Sequence, residues 1–142
     1  MRELDECLRI TRMIAETKEK IEELEMAVMS PRSQAISDMP KGGGGTINAI
    51  ESYILKKEKL EGQIDSLQEE RAVEWCKVCG YLEMFNQKKT TKTMLWLRFC
   101  KGYSWNKCVS KLSEAYPDER WSANKCFRIY RDFLHKVNSK SL

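Results

Sequence analysis

The stretch Thr93–Val137, TMLWLRFCKGYSWNKCVSKLSEAYPDERWSANKCFRIYRDFLHKV, decides how the rest of the chain is read. It divides into three helices. The first carries Leu95, Trp96 and Phe99 and stops at Gly102, because glycine enters the left-handed conformation that closes a helix at no steric cost. Ser104 follows at an N-cap position, where its hydroxyl satisfies an amide that the next helix leaves unpaired. That second helix shows Trp105, Cys108, Val109 and Leu112 at i, i+3, i+4 and i+7, the spacing of one buried stripe. Pro117 disfavours helical backbone at Tyr116, so the helix ends near there. Ser122 is a second N-cap. The third helix buries Cys126, Ile129 or Tyr130, Phe133, Leu134 and Val137. The last two helices are spaced like a helix-turn-helix.

The opposite face of the third helix carries Asn124, Lys125, Arg128 and Arg131. Asn pairs bidentately with adenine, and Arg or Lys with guanine, in the major groove of double-stranded DNA. A recognition helix enters the groove by its N-terminal end, which here holds Asn124 and Lys125. Asn124, Lys125 and Arg128 are therefore the candidate base-reading residues. On the helix alone, the same face reads equally well as the solvated side of a small bundle.

Charge separates these readings. Residues 1–72 hold 11 Lys/Arg against 15 Asp/Glu, a net of −4, and residues 73–142 hold 14 against 6, a net of +8. From Asn86 to Leu112 there are seven basic residues and no acid. Such a concentration favours a polyanion partner over merely solubilising lysines. Lys88, Lys89, Lys92, Lys101, Lys107 and Lys111, with Ser122 and Arg131, are the candidate phosphate contacts; Arg98 completes the basic series.

The N-terminal half is of another kind. Cys7, Ile10, Ile14, Thr17, Ile21, Leu24 and Val28 recur in alternating steps of three and four, a heptad seam on a helix over residues 3–29. Ser30-Pro31 ends it. Residues 30–46, SPRSQAISDMPKGGGGT, read as a linker, since each glycine inside a helix costs ~1 kcal/mol relative to Ala. The glycines lack the preceding strand and following Gly-Lys-Ser/Thr of a phosphate-binding loop. Residues 47–73 form a second long helix with Ile47, Ile50, Ile54, Leu60, Ile64 and Leu67 on its apolar face, interrupted by Lys57. An antiparallel hairpin is the economical arrangement, and so narrow a hairpin favours homo-oligomerisation. Residues 74–86 continue in register through Trp75, Val78, Cys79, Leu82 and Phe85, with Gly80 as a weak point. NQKKTTKT then reads as a basic linker. The fold class expected is all-α: a coiled-coil-like helical hairpin in residues 1–73, followed by a helix-turn-helix bundle in residues 74–142.

Enzyme chemistry finds no foothold. A single histidine, His135, supports no Ser-His-Asp arrangement. Cys76 and Cys79 have half of a zinc spacing, but a structural site needs four ligands and no second CxxC exists. Cysteines at helical apolar positions act as small hydrophobes. No cofactor is expected. With no run of 18 apolar residues and no signal-peptide pattern, the chain is expected to be cytoplasmic, away from the membrane, with its six cysteines as thiols.

Two segments carry a family resemblance. SDMPKGGG (Ser37–Gly44), between two long helices, and LWLRFCKGYSW (Leu95–Trp105) resemble small prophage proteins of Gram-positive bacteria. These are the phage late-gene transcriptional regulators of the ArpU and RinA type, whose C-terminal part is similar to region 4 of bacterial sigma-70 factors. Ser122–Val137 fits their closing helix. The resemblance implies a DNA-binding regulator of late phage genes without cofactor or catalysis, acting in the bacterial host's cytoplasm. It places Asn124, Lys125 and Arg128 where region-4-like proteins present base-reading side chains, and admits RNA polymerase as a partner. One departure stands out. Leu112 and Ser122 are separated by nine residues, where the sigma-type motif has about three. Either the first helix runs on to Tyr116 or the turn is a longer loop. Two other readings remain: a small-terminase-like packaging protein, and a coiled-coil adaptor that binds polymerase without specific DNA affinity.

Overall fold

The structure, a computed structural model, describes the backbone of residues 1–29 and 42–140, and the side chains of 1–29 and 49–139. The expected stop at Ser30-Pro31 and the linker as far as Lys41 lie outside the described residues. The described chain is all-helical, without strands: α1 (Arg2–Met29), α2 (Gly42–Met84), α3 (Lys89–Leu95) running on into a π-helical turn (Trp96–Cys100), α4 (Trp105–Ala115) and α5 (Ala123–Lys140). The chain divides into two compact units, one of Met1–Arg12 with Glu69–Leu142 and one of Met13–Gln68.

Two expectations about boundaries are corrected. Gly42–Gly45 belong to the first turn of α2 and not to a linker. The propensity penalty of glycine applies to helix interiors, whereas the first four amides of a helix have no intrahelical partner. Likewise, Lys89–Thr93 of the expected basic linker are already α3. Here the reason is tertiary: Thr91 and Met94 are buried beneath the neighbouring helices, and that packing outweighs the modest helix propensity of Lys and Thr.

The unit of Met13–Gln68 is an antiparallel helical hairpin. Lys57, the seam interruption, reaches Glu25 at 3.2 Å. Ile14, Thr17 and Ile64 are buried, Ile21, Leu24, Leu60 and Leu67 only half-buried. Ile50 and Ile54, expected on the apolar face, are exposed, and so is Val28. Two helices alone cover too little of each other to bury every seam position.

The other unit is the bundle, and its core reaches both ends of the chain. Leu4 and Cys7 from α1, Val78 and Leu82 from α2, Met94, Leu95, Phe99 and Cys100, Leu112 from α4, and Cys126, Phe133 and Val137 from α5 form one buried cluster. Helix α2 runs unbroken through Gly80 to a close at Asn86, which takes φ +51°. The Asn86 amide donates to the Glu83 carbonyl and the Gln87 amide to that of Leu82, the paired pattern of a Schellman stop. The π turn is closed from outside. Its terminal carbonyls, Phe99 and Cys100, face the Thr11 hydroxyl at 3.0 and 3.2 Å, and Arg71 donates to the Cys100 carbonyl at 2.8 Å and to Thr11 Oγ1 at 3.1 Å. A cationic donor at a helix C-terminus satisfies orphan carbonyls and complements the dipole.

Candidate nucleic-acid interface

The last two helices begin at serine caps, and a left-handed glycine precedes the first of them. Gly102 takes φ +72°, ending the π turn. Ser104 caps α4 by accepting from the Lys107 amide at 3.2 Å, and Ser122 caps α5 by accepting from the Lys125 amide at 3.1 Å. Helix α4 reaches Ala115 and Tyr116 closes it, its amide donating to the Leu112 carbonyl. The long connection is thus partly extra helix and partly a loop over residues 116–122.

That loop is held from several sides. The Tyr116 hydroxyl meets Thr93 Oγ1 at 3.0 Å. The Trp121 ring stands 6.5 Å from that of Tyr116, with its buried indole N–H unpaired among the described residues. Lys125 folds back on the loop: its Nζ donates to the Arg120 carbonyl at 2.9 Å, lies 3.5 Å from Glu119 Oε2 and sits 4.4 Å over the Trp121 ring. In this arrangement Lys125 anchors the loop, and its side chain is half-buried.

The remaining candidates are presented outward. Asn124, Arg128 and Arg131 are exposed, at i, i+4 and i+7 of one α5 face. Behind that face Cys126, Phe133 and Val137 are buried, which fixes the rotation of the helix. Lys88 precedes α3, Lys89 and Lys92 lie in its first turn, Lys101 lies in the α3–α4 link, and Lys107 and Lys111 lie one turn apart on α4; all six are exposed. Ser122 is exposed, with its hydroxyl already accepting as the α5 cap. Lys107 Nζ lies 4.2 Å from the Tyr103 ring centre, a cation–π contact that pre-sets its direction. None of these lysines, nor Arg128 or Arg131, is in a salt bridge among the described residues. Their charges are left for solvent or an external anion.

Arg98 is different. It donates to the Tyr103 carbonyl at 2.9 Å, and its guanidinium lies 5.2 Å from the centre of the Trp105 ring. It ties the end of the π turn to the start of α4, a structural duty that the sequence pattern alone did not separate from the neighbouring lysines.

The thiols follow burial. Cys108 is fully buried, and burial pushes its thiol from the ordinary 9.0 up to about 11. Burial also raises Cys126 and Cys79. Cys7 and Cys100 share a hydrogen bond that lowers Cys7 and raises Cys100. Among the described residues no three His, Cys, Asp or Glu side chains converge as a metal site. No described helix is long and apolar enough to cross a membrane. Compared with known proteins, the chain matches no family model, no curated protein and no solved structure.

Proposed function

We propose that this chain is a sequence-specific double-stranded-DNA-binding regulator of phage late genes, with α5 as the recognition helix. The observation that carries this reading is the outward stripe Asn124, Arg128 and Arg131 beginning in the first turns of a capped, firmly seated helix. Asn124 and Arg128 read base edges, and Arg131 contacts phosphate. Lys88, Lys89, Lys92, Lys101, Lys107 and Lys111 add phosphate contacts that set the register. Lys125 contributes through the loop it anchors. The sequence resemblance to late-gene regulators supplies the biological setting and makes RNA polymerase the second partner.

The test is fluorescence anisotropy on duplexes selected from a random pool, against scrambled duplexes of equal length, across salt concentrations. A preference of tenfold or more that Arg128→Ala or Asn124→Ala relaxes by ~1–3 kcal/mol is expected. Equal, strongly salt-dependent binding to both duplexes would reduce the surface to an unspecific basic patch. Lys88→Ala with Lys89→Ala should weaken all DNA alike and flatten the salt slope.

The hairpin carries the assembly role in this reading. Met26, Val28, Met29, Ile50, Ile54 and Leu55 are exposed on it, which supports homo-oligomerisation through its helices. Light scattering distinguishes a dimeric regulator from the multi-subunit ring of the packaging-protein alternative.

A further inference from the structure

Phe127 is the sole exposed Phe, Trp or Tyr among the described residues, at 46% of its full accessibility. A lone exposed Phe needs no explanation by itself. Its position does. It occupies the fifth residue of α5, inside the stripe Asn124–Phe127–Arg128–Arg131, where i, i+3, i+4 and i+7 all face outward. An apolar ring at the centre of an Asn/Arg surface gains nothing from water and costs helix solubility.

The ring is also held. Trp105 meets it edge-on at 6.2 Å with an interplanar angle of 88°, and Tyr130 stands at 6.2 Å and 61°. Trp105 is in turn fixed by Arg98. One side of Phe127 is therefore anchored in the aromatic cluster and the other is open. A pre-positioned ring loses little rotamer freedom on binding.

We propose that Phe127 reads the 5-methyl group of a thymine in the major groove, next to the base contacted by Asn124 or Arg128. This rests on the DNA-binding reading above and deepens it. Of the four bases, thymine alone displays a methyl in the major groove, and an apolar side chain is its complement. A hydrophobic contact of this kind also adds discrimination that salt does not screen, unlike the surrounding phosphate contacts.

Deoxyuridine differs from thymidine by that methyl alone. The experiment therefore replaces each thymine of the selected duplex by deoxyuridine, one at a time, and measures the affinity of the full chain and of Phe127→Ala and Phe127→Leu. At one position the replacement weakens the parent about fourfold, the equivalent of ~0.8 kcal/mol for one buried CH₂-sized group. Phe127→Ala, already weakened on the thymine duplex, is indifferent to the replacement there, and Phe127→Leu retains part of the effect. Two results overturn the assignment while leaving sequence-specific binding intact: no deoxyuridine position matters, or one matters equally in the parent and in Phe127→Ala. If Phe127→Ala binds every duplex as the parent does, the ring belongs to a protein contact instead. Loss of any preference for selected over scrambled DNA overturns the underlying reading and this one with it.

Discussion

The bundle and the hairpin draw on the same two long helices, and they treat apolar side chains differently. In the bundle, Leu4, Cys7, Val78 and Leu82 are buried among α3, α4 and α5. In the hairpin, the same heptad rhythm leaves Ile21 and Leu24 half-buried and Val28, Ile50 and Ile54 exposed. The charge differs as well: Met13–Gln68 holds 7 Lys/Arg against 10 Asp/Glu, a net of −3, while the remainder holds 18 against 11, a net of +7. A third layer of helices completes burial, whereas a two-helix segment keeps apolar surface in reserve. The first unit closes its core, and the second leaves apolar side chains exposed.

All four tryptophans, at 75, 96, 105 and 121, lie in the bundle, so their fluorescence follows that unit while helical circular dichroism follows both. The largest expected effect is Phe133→Ala. It should cost ~3–5 kcal/mol, moving the fluorescence transition in urea well below the remaining dichroism transition. Coincident shifts of both signals would mean the two units unfold as one.

Alkaline pH should separate the units next, because all six cysteines lie in the bundle. Cys108 rises from 9.0 unfolded to about 11 folded, so the native state holds the proton more tightly. Its contribution is full below pH 9 and is lost as pH rises through 11, about 2–3 kcal/mol in all. Urea titrations of Cys108→Ala against the parent should show their difference narrowing across that window. A pH-independent difference would refute the assignment.

Gly102→Ala should cost ~1–2 kcal/mol by fluorescence, since φ +72° is strained for a side chain and the new Cβ would lie 3.2 Å from Thr11 Cγ2. The smallest effect carries the opposite sign and belongs to the hairpin. Gly62 lies inside α2 with open space where a Cβ would stand, so Gly62→Ala should stabilise by ~0.5–1 kcal/mol, seen by dichroism with little change in fluorescence.

Features set by local chemistry were legible in the sequence. Ser104 and Ser122 cap their helices, Gly102 turns left-handed and Tyr116 closes α4, because each effect depends on residues within one turn. Features set by distant packing were not. The heptad series begins at Cys7 and does not extend to Leu4, which is fully buried. Lys89–Thr93 show no apolar rhythm, and nothing in them announces α3. At the candidate interface, spacing correctly placed Asn124, Arg128 and Arg131 on the exposed face, but Lys125 was drawn aside by the Arg120 carbonyl and the Trp121 ring. Spacing reports the face from which a side chain starts. A long flexible stem then goes to whichever acceptor the tertiary fold offers.

The Thr11–Arg71–Cys100 junction has a consequence for how the chain acquires its shape. The residues it joins are 60 and 29 positions apart, and Thr11 and the Cys100 carbonyl lie 89 positions apart. Such closures slow folding, because chain entropy is spent before the contact forms. During synthesis Thr11 must wait for Cys100 before this contact can form. The C-terminal helices cut out at residue 74 would lack Leu4, Cys7, Thr11 and Arg71, so a genetic dissection should keep residues 1–12 together with the bundle they complete.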